Sequence, residues 1–165
     1  MKEIYIAGGC FWGVQRYYLL LNGVNTTEVG YANGNYKDPK YQELLTGKAT
    51  HAEVVYLTYD PKIITLENIV EHFFRFIDPY SLNRQAGDIG LQYRSGIYYV
   101  DSKDKPIIEN FIRNFEKTHG RKTVVEVRAL ENYSKAEEEH QYYLCKNPDG
   151  YCHIDLGLIK DEELR

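Results

Sequence analysis

The chain has 165 residues and a formal net charge of −4, enough length for one well-buried domain. Acidic and basic residues are interspersed without a basic stripe, which argues against a nucleic-acid partner. No segment approaches the ~18 apolar residues of a membrane span, and too few apolar residues follow Lys2 for a signal peptide. We therefore expect a cytoplasmic, monomeric protein without membrane contact, folded as one domain over residues 1–165.

Hydrophobic periodicity predicts strands and helices that alternate along the chain. A strand over Glu3–Ala7 leads into two glycines and a helix that ends near Asn22-Gly23. Further strands are predicted within 24–31, 52–58, 96–100 and 123–130, and further helices over 65–77, 102–115 and 134–145. Because the spacings do not repeat as in a doubly wound parallel sheet, we expect an α+β protein, a two-layer sandwich with a mixed β-sheet.

Capping residues and breakers set the predicted boundaries. Thr65 is a suitable helix cap, and Ser134 with Glu137 forms a capping-box pattern for the last helix. Residues 32–40 and 79–95 lack periodicity and are predicted loops, and residues 146–165 form a loop-rich tail. Loops carried on a rigid scaffold are where functional residues concentrate.

The segment that joins the first strand to the first helix contains Cys10 directly after Gly8-Gly9. A helix start supplies unpaired amides and a positive dipole end, which favour thiolate over thiol. The glycines permit positive φ and let amides turn toward a bound oxygen. Phe11 and Trp12 follow and can wall a small apolar pocket. The sequence thus predicts a reactive Cys10, although a small buried hydrophobe at a helix start fits the same pattern.

Glu53 is the second candidate. In a strand over 52–58 it shares a face with Val55 and Leu57, so it points toward packing rather than water. A carboxyl group placed there has a raised pKa and suits proton donation near neutral pH. The alternative is a carboxylate at a strand end that reaches solvent or caps a neighbouring element.

Weaker candidates lie in the loops and in the tail. Tyr41, Asp88 and Tyr93 fall in or beside the predicted loops, where surface residues are also common. Cys152 follows a turn in the tail, and a mobile thiol there can resolve an oxidised cysteine. Cys145 closes a predicted helix, where packing is its simplest role.

Three cysteines are too few for a disulfide framework. A zinc site of His140, Cys145, Cys152 and His153 is disfavoured because the set lacks a Cys-x₂-Cys pair, so we expect no metal. Two other functions stay open on the residues alone. One is a thiol-dependent acyl transferase or hydrolase that pairs Cys10 with a histidine such as His51. The other is a zinc-stabilised or peptide-binding module that uses the tyrosine-rich surface.

Several motifs, in order from about Tyr5 to His153, resemble the A-type peptide methionine sulfoxide reductases. Motifs at six places carry the resemblance: Gly9-Cys10-Phe11-Trp12-Gly13; Gly47 followed by His51-Ala52-Glu53; Asp78-Pro79 with Ser81-Leu82-Asn83-Arg84-Gln85; Gln92-Tyr93-Arg94-Ser95; His140-Gln141 with Tyr143-Leu144; and Asn147-Pro148 with Gly150-Tyr151-Cys152. Independent motifs at family-like separations are far more specific than one short pattern.

This resemblance implies a ferredoxin-like core and an oxidoreductase that reduces the S epimer of methionine sulfoxide, free or in proteins, as antioxidant repair. It implies Cys10 as nucleophile, Glu53 as acid, and Cys152 as the recycling cysteine that forms a disulfide with a Cys10 sulfenic acid. It further implies that thioredoxin is the reductant and that no cofactor is bound. The substrate-binding residues it implies are Phe11 and Trp12 for the methyl group, and Tyr41, Asp88 and Tyr93 for the polar side.

The chain departs from the family pattern at a few positions. Gln15 replaces a frequent glutamate, and Glu139 stands where many members carry tyrosine. Members with a second recycling cysteine usually place it beyond the first, and no cysteine follows Cys152 here. We therefore expect Cys145 to be a bystander.

Overall fold

A six-stranded sheet organises the computed structural model, which describes all residues from Met1 to Arg165. The strands are β1 Lys2–Gly8, β2 Val24–Ala32, β3 Ala52–Tyr59, β4 Arg84–Gln85, β5 Asp88–Ile89, β6 Ser95–Tyr99, β7 Glu126–Ala129 and β8 Ser134–Lys135. Six of them form the order β7-β6-β1-β3-β2-β8, and β4 pairs with β5 separately. Only β6 and β7 run parallel, so the predicted mixed sheet is confirmed.

Helices cover one face of this sheet. They are α1 Phe11–Leu19, α2 Tyr41–Leu45, α3 Leu66–Phe76, α4 Asp104–His119 and α5 Tyr143–Lys146. Val14, Ile69 and Ile108 from three helices share the main core with Val55 and Leu57 of β3. A smaller cluster built on Val54, Tyr5 and Tyr98 lies on the opposite face of the sheet. The two-layer α+β sandwich is therefore confirmed. None of the five helices has the length and apolar character of a membrane span.

The sequence signals at both ends of α3 act as predicted. The Thr65 hydroxyl accepts a hydrogen bond from the Asn68 amide at 3.1 Å and caps α3. The helix then ends before Asp78-Pro79. Helix α4 buries Ile108, while Ile107 and Phe111 are half-buried against the main core. The helix ends at Gly120, which adopts the left-handed conformation with φ of 65°. Helix α4 extends to His119, beyond the predicted end at Phe115.

The predicted helix over 134–145 is wrong for most of its length. Ser134 lies in β8 and pairs with β2, and Glu137 accepts a hydrogen bond from the Tyr31 hydroxyl at 2.8 Å instead of capping a helix. Gln141 donates to the Val29 carbonyl at 2.8 Å and accepts from the Val29 amide at 3.0 Å. Before α5 the segment forms β8 and a 3₁₀ turn over Glu138–His140 instead of an α-helix. Its own groups satisfy the edge of β2, which an α-helix there would leave unpaired.

Short elements occupy the stretches predicted as loops. The β4–β5 ribbon and a 3₁₀ turn over Leu91–Tyr93 lie within 79–95, and α2 follows the loop over 32–40. A two-residue strand contains one alternation at most, so periodicity cannot reveal it. These elements hold the loops that reach the site.

The tail is anchored at its C-terminal end. Arg75 of α3 donates to both carboxylate oxygens of Glu163 at 2.7 and 2.8 Å, and the Arg165 amide donates to the Leu20 carbonyl at 2.9 Å. Ile154 and Ile159 are buried in the main core. The tail is therefore packed on the domain along its length, and its cysteine has a defined position.

The centre of β3 makes a testable contribution to stability. Leu57 is 0% exposed, so Leu57→Ala leaves a cavity and should lower the free energy of unfolding by about 2–5 kcal/mol. Leu82→Ala, at a leucine that is 69% exposed, is the matched control and should change it by less than about 0.5 kcal/mol. Urea unfolding of both variants measures the change in the free energy of unfolding. Equal decreases for the two variants would contradict the assignment of Leu57 to the core.

Candidate active site

Cys10 lies where β1 ends and α1 begins. It occupies the N-cap position of α1, and only 8% of the residue is exposed. Gly9 adopts φ of 90°, as the sequence indicates. A Cβ atom on Gly8 would lie 2.9 Å from the Phe76 ring, and one on Gly9 would lie 2.8 Å from Cβ of Gln85. The two glycines thus allow both the turn and the close packing that encloses the cysteine.

The resting state of Cys10 differs from the sequence prediction. Burial raises the pKa of the Cys10 thiol well above its usual range, and the nearby Glu53 raises it further. A hydrogen bond from the Trp12 amide lowers the pKa, but by less. The expectation of a resting thiolate is therefore wrong, because desolvation outweighs the helix N-terminus. Cys10 rests as a neutral thiol.

Glu53 meets its prediction. Its side chain lies on the face of β3 that carries Val55 and Leu57, and the residue is 2% exposed. Burial raises the pKa of Glu53 from 4.5 to about 8, and the charges of Asp88 and Glu137 act in the same direction. Glu53 is therefore mostly protonated at neutral pH. Its Oε1 atom also accepts a hydrogen bond from the Phe11 amide at 3.1 Å, so the carboxyl group caps α1 as well.

Tyr41 of α2, Asp88 of β5 and Tyr93 of the 3₁₀ turn come together around the Cys10 thiol and the Glu53 carboxyl group. Burial and the charges of Glu53 and Cys10 raise the pKa of both the Tyr41 and the Tyr93 hydroxyl. They are therefore hydrogen-bond donors at neutral pH. Asp88 acts electrostatically on all four groups. The structure thus brings together every polar residue predicted on this side of the site.

Phe11 and Trp12 form an aromatic wall with partners that sequence reasoning left without a role. The Trp12 ring stacks on Tyr143 with centroids 3.8 Å apart, and its Nε1 donates to Nδ1 of His140 at 3.2 Å. The Phe11 ring lies 5.5 Å from that of His140 and 5.7 Å from that of Tyr31. His140 thereby fixes both predicted aromatic residues. The only signal for it in the sequence is its place in the His140-Gln141 motif.

The tail passes directly over the start of α1. The Cys152 Sγ atom lies 3.2 Å from the point where a Cβ atom on Gly13 would stand. His153 Nε2 is 2.9 Å from the Gly8 carbonyl oxygen, and the Tyr151 hydroxyl donates to Asp88 at 2.9 Å. Cys152 is half-buried and close enough to act electrostatically on Cys10. The sequence did not indicate that Cys152 packs against Gly13, because a glycine within a helix carries no signal for a distant contact.

Cys145 is separate from this arrangement. It is exposed rather than packed, and its Sγ atom lies 3.8 Å from Nη1 of Arg16. Trp12 is the hydrogen-bond partner of His140, and the Cys152 thiol donates to the Ile154 carbonyl at 3.4 Å. The four candidate zinc ligands therefore have separate partners and do not form one cluster.

His51 does not pair with Cys10. Its buried ring lies edge-on to Tyr36, with centroids 5.7 Å apart, and fills the space that a Cβ atom on Gly34 would need. A thiol-dependent acyl transferase that uses His51 as base is therefore not supported. The groups that act electrostatically on Cys10 are Glu53, Asp88 and Cys152.

The arrangement defines a class of protein: a thiol enzyme with a neutral acid beside the thiol and a second cysteine within reach. A comparison with known protein families matches residues 2–165 to the family described as peptide methionine sulfoxide reductase. The peptide methionine sulfoxide reductase MsrA of Clostridium perfringens is 53% identical over 156 residues, which is 94% of this chain and 99% of that protein.

Solved structures agree with the sequence comparison. Mxr1 from Saccharomyces cerevisiae in reduced form has a TM-score of 0.86 and 38% identity, and the match covers 92% of this chain and 88% of that chain. The same yeast protein in complex with Trx2 has a TM-score of 0.61 and 28% identity, over 86% of this chain and 84% of that one. This chain belongs to the peptide methionine sulfoxide reductase family. It is an oxidoreductase that reduces methionine sulfoxide by a thiol-dependent reaction.

The raised pKa of Glu53 predicts how stability depends on pH. Between its ordinary value of 4.5 and its folded value of about 8, the folded protein binds one more proton than the unfolded chain. The contribution of Glu53 to the free energy of unfolding is therefore complete below pH 4.5 and is lost as the pH rises to about 8. Glutamine does not titrate, so the Tm of Glu53→Gln minus that of wild type should increase with pH across this interval.

Thermal unfolding of wild type and variant at several pH values measures this difference. The other titrating groups are common to both proteins and cancel. Glu139→Gln, at an exposed glutamate, is the matched control and should give a Tm difference that does not change with pH. A constant difference for Glu53→Gln as well would contradict the buried, protonated carboxyl group.

Proposed function

We propose that this enzyme reduces the S epimer of methionine sulfoxide, free or in proteins, with Cys10 as nucleophile and Glu53 as acid. The observation that carries the proposal is the burial of the Cys10 thiol and the Glu53 carboxyl group together at the start of α1, which raises the pKa of both groups. Thiol attack on a sulfoxide builds negative charge on oxygen, and a protonated carboxyl group is the partner that this charge needs.

The two walls of the site match the two ends of the substrate. Phe11 and Trp12 offer an aromatic surface to the methyl group, and Tyr41 and Tyr93 offer hydroxyl donors to the oxygen, with Asp88 behind them. A methyl group in an apolar pocket discriminates by only about 1–3 kcal/mol, whereas unpaired buried donors reject a ligand that lacks the oxygen much more strongly. The polar side therefore favours sulfoxide over methionine itself.

The first step needs no proton from outside the site. The Glu53 carboxyl group gives its proton to the sulfoxide oxygen while the Cys10 sulfur bonds to the sulfoxide sulfur, and the thiol proton passes to the resulting Glu53 carboxylate. The oxygen is then transferred to Cys10 and methionine leaves. Cys10 ends as a sulfenic acid, a reversible oxidation state, and Glu53 ends protonated. The neutral resting states of both groups suit this exchange.

The second step uses the tail. The Cys152 thiol condenses with the Cys10 sulfenic acid to give a Cys10–Cys152 disulfide and water. The contact of Cys152 with the first turn of α1 supports this role. Thioredoxin then reduces the disulfide by thiol exchange, and the solved complex of yeast Mxr1 with Trx2 supports such a partner. This cycle requires no bound cofactor or metal.

The proposal treats residues 1–165 as a single catalytic domain in which residues 146–165 form the tail with the recycling cysteine. The packing of Ile154 and Ile159 in the main core supports this organisation. A net charge of −4 without a basic stripe disfavours a nucleic-acid partner. A cytoplasmic, monomeric enzyme without membrane contact is also part of the proposal.

The roles of the three cysteines predict different stoichiometries. With S-epimer substrate and thioredoxin as reductant, Cys152→Ser should release one methionine per enzyme and stop with one oxygen atom added to Cys10. Cys145→Ser is the matched control and should cycle like wild type. Cys10→Ser should release no methionine, because an alcohol at its free pKa is a poor nucleophile.

Methionine is measured by chromatography and the state of Cys10 by mass spectrometry. Continued cycling of Cys152→Ser together with arrest of Cys145→Ser would show that the recycling thiol is Cys145. Methionine release by Cys10→Ser would overturn the proposed reaction as a whole.

The acid role of Glu53 predicts a pH dependence of the first step. In a single turnover, the wild-type rate of methionine formation should fall above pH 8, the approximate pKa of this group. Glu53→Gln should reduce the rate below that pH by about 100-fold, the scale of general acid catalysis, and should remove the fall. Rapid-quench measurement across the pH range tests both, and an unchanged rate in the variant would exclude the acid role.

A further inference from the structure

His153 is a half-buried residue that the reaction described so far does not use. Its ring lies across the start of α1: Nε2 is 2.9 Å from the position a Cβ atom on Gly9 would take, and Nδ1 is 3.4 Å from that position on Gly13. Any larger residue at either place would displace the ring. Gly9 and Gly13 therefore leave the space in which the His153 ring packs against α1.

The hydrogen bonds of His153 define its tautomer. The Gly8 carbonyl oxygen, 2.9 Å from Nε2, can only accept, so Nε2 carries the proton and Nδ1 carries a free lone pair. Nδ1 is buried and has no hydrogen-bond partner. An unsatisfied buried acceptor costs about 1–3 kcal/mol, and such exceptions in folded proteins call for a functional explanation.

The neighbouring group that can give a proton to this lone pair is the Cys152 thiol. Its Sγ atom lies 3.2 Å from the Cβ position on Gly13, and Nδ1 lies 3.4 Å from the same position, so the two atoms are neighbours at Gly13 without a hydrogen bond between them. The thiol donates a hydrogen bond to the Ile154 carbonyl oxygen at 3.4 Å. A thiol held in this way attacks poorly, because the thiolate is the nucleophile. The recycling step therefore needs a base beside Cys152.

The surroundings of His153 keep it in the basic form. Burial lowers its pKa below the ordinary value, while the Gly8 hydrogen bond and the charge of Asp88 act in the opposite direction and are weaker. The Tyr151 ring stacks on the imidazole with centroids 6.4 Å apart. The Cys152 thiol lies near the ring at the Gly13 position, and Gln85 of β4, which lies near the ring at the Gly9 position, is uncharged.

We propose that His153 is the general base of the recycling step. This inference rests on the proposed roles of Cys10 and Cys152. Nδ1 takes the proton of the Cys152 thiol as its sulfur attacks the sulfenic sulfur of Cys10. The sulfur–sulfur bond forms, the sulfur–oxygen bond of the sulfenic acid breaks, and the leaving hydroxide takes the proton from the imidazolium and departs as water. Sulfenic acid and thiol are thus converted to disulfide and water, with His153 restored.

The test separates the two steps in one experiment. His153→Gln keeps a donor for the Gly8 carbonyl but removes the base. After mixing with one equivalent of S-epimer substrate, it should release methionine at the wild-type rate and form the disulfide about 100-fold more slowly at pH 7. The matched control is His119→Gln, since exposed His119 also bonds a backbone carbonyl, that of Phe115 at 2.8 Å. It should leave both rates unchanged.

The pH profile distinguishes a base from a structural support. Wild-type disulfide formation should be level above pH 7 and fall as His153 is protonated at lower pH. In His153→Gln the rate should instead keep rising with pH above 7, because the proton then leaves to hydroxide from the solvent rather than to a fixed base. Normal methionine release with a wild-type disulfide rate in the variant would overturn the role of His153. A wild-type rate that itself rises tenfold per unit above pH 7 would do the same without any variant.

Loss of methionine release in wild type would instead overturn the proposed function, so the two failures are distinguishable. If His153→Gln does not fold, as judged by circular dichroism, the wild-type pH profile decides the question alone.

Discussion

The burial of the Glu53 carboxyl group against the first turn of α1 is the constraint on which the rest of the site depends. One oxygen of this group accepts the Phe11 amide, so the start of the helix and the acid fix each other. The same enclosure keeps the acid neutral and prevents Cys10 from ionising at rest. Desolvation thus keeps both groups protonated, and in the proposed reaction they meet the polar sulfur–oxygen bond of the substrate in that form.

The sheet explains why these residues meet. Glu53 lies near the start of β3, and Cys10 follows the end of β1, which runs antiparallel to β3. Both residues therefore lie where these strands meet at one end of the sheet. Tyr41 and Tyr93 lie near this end as well, and the tail covers it on the side of α1. A rigid core therefore carries a site built from the ends of strands and helices and from the segments that join them.

Sequence reasoning located the elements with strong periodicity and the residues with distinctive local context. Strands β1 and β3 and helix α3 were predictable because their apolar positions repeat over several residues, and Glu53 because a charge stood on an apolar face. The 134–145 segment was not predictable, since its conformation depends on the distant edge of β2. The protonation of Cys10 also escaped prediction, because burial is a tertiary property that a helix start does not reveal. The role of Gly13 required the tail to be seen in place.

The anchoring of the tail on α3 and in the core has a consequence for how this enzyme withstands oxidants. Because Cys152 is held near Cys10 in the folded protein, the two sulfurs meet at a high effective concentration and do not depend on diffusion. In the proposed cycle a sulfenic acid at Cys10 therefore survives only briefly. Peroxide then has little opportunity to carry that sulfur on to the irreversible sulfinic state, so the anchored tail of the proposed cycle also protects the nucleophile.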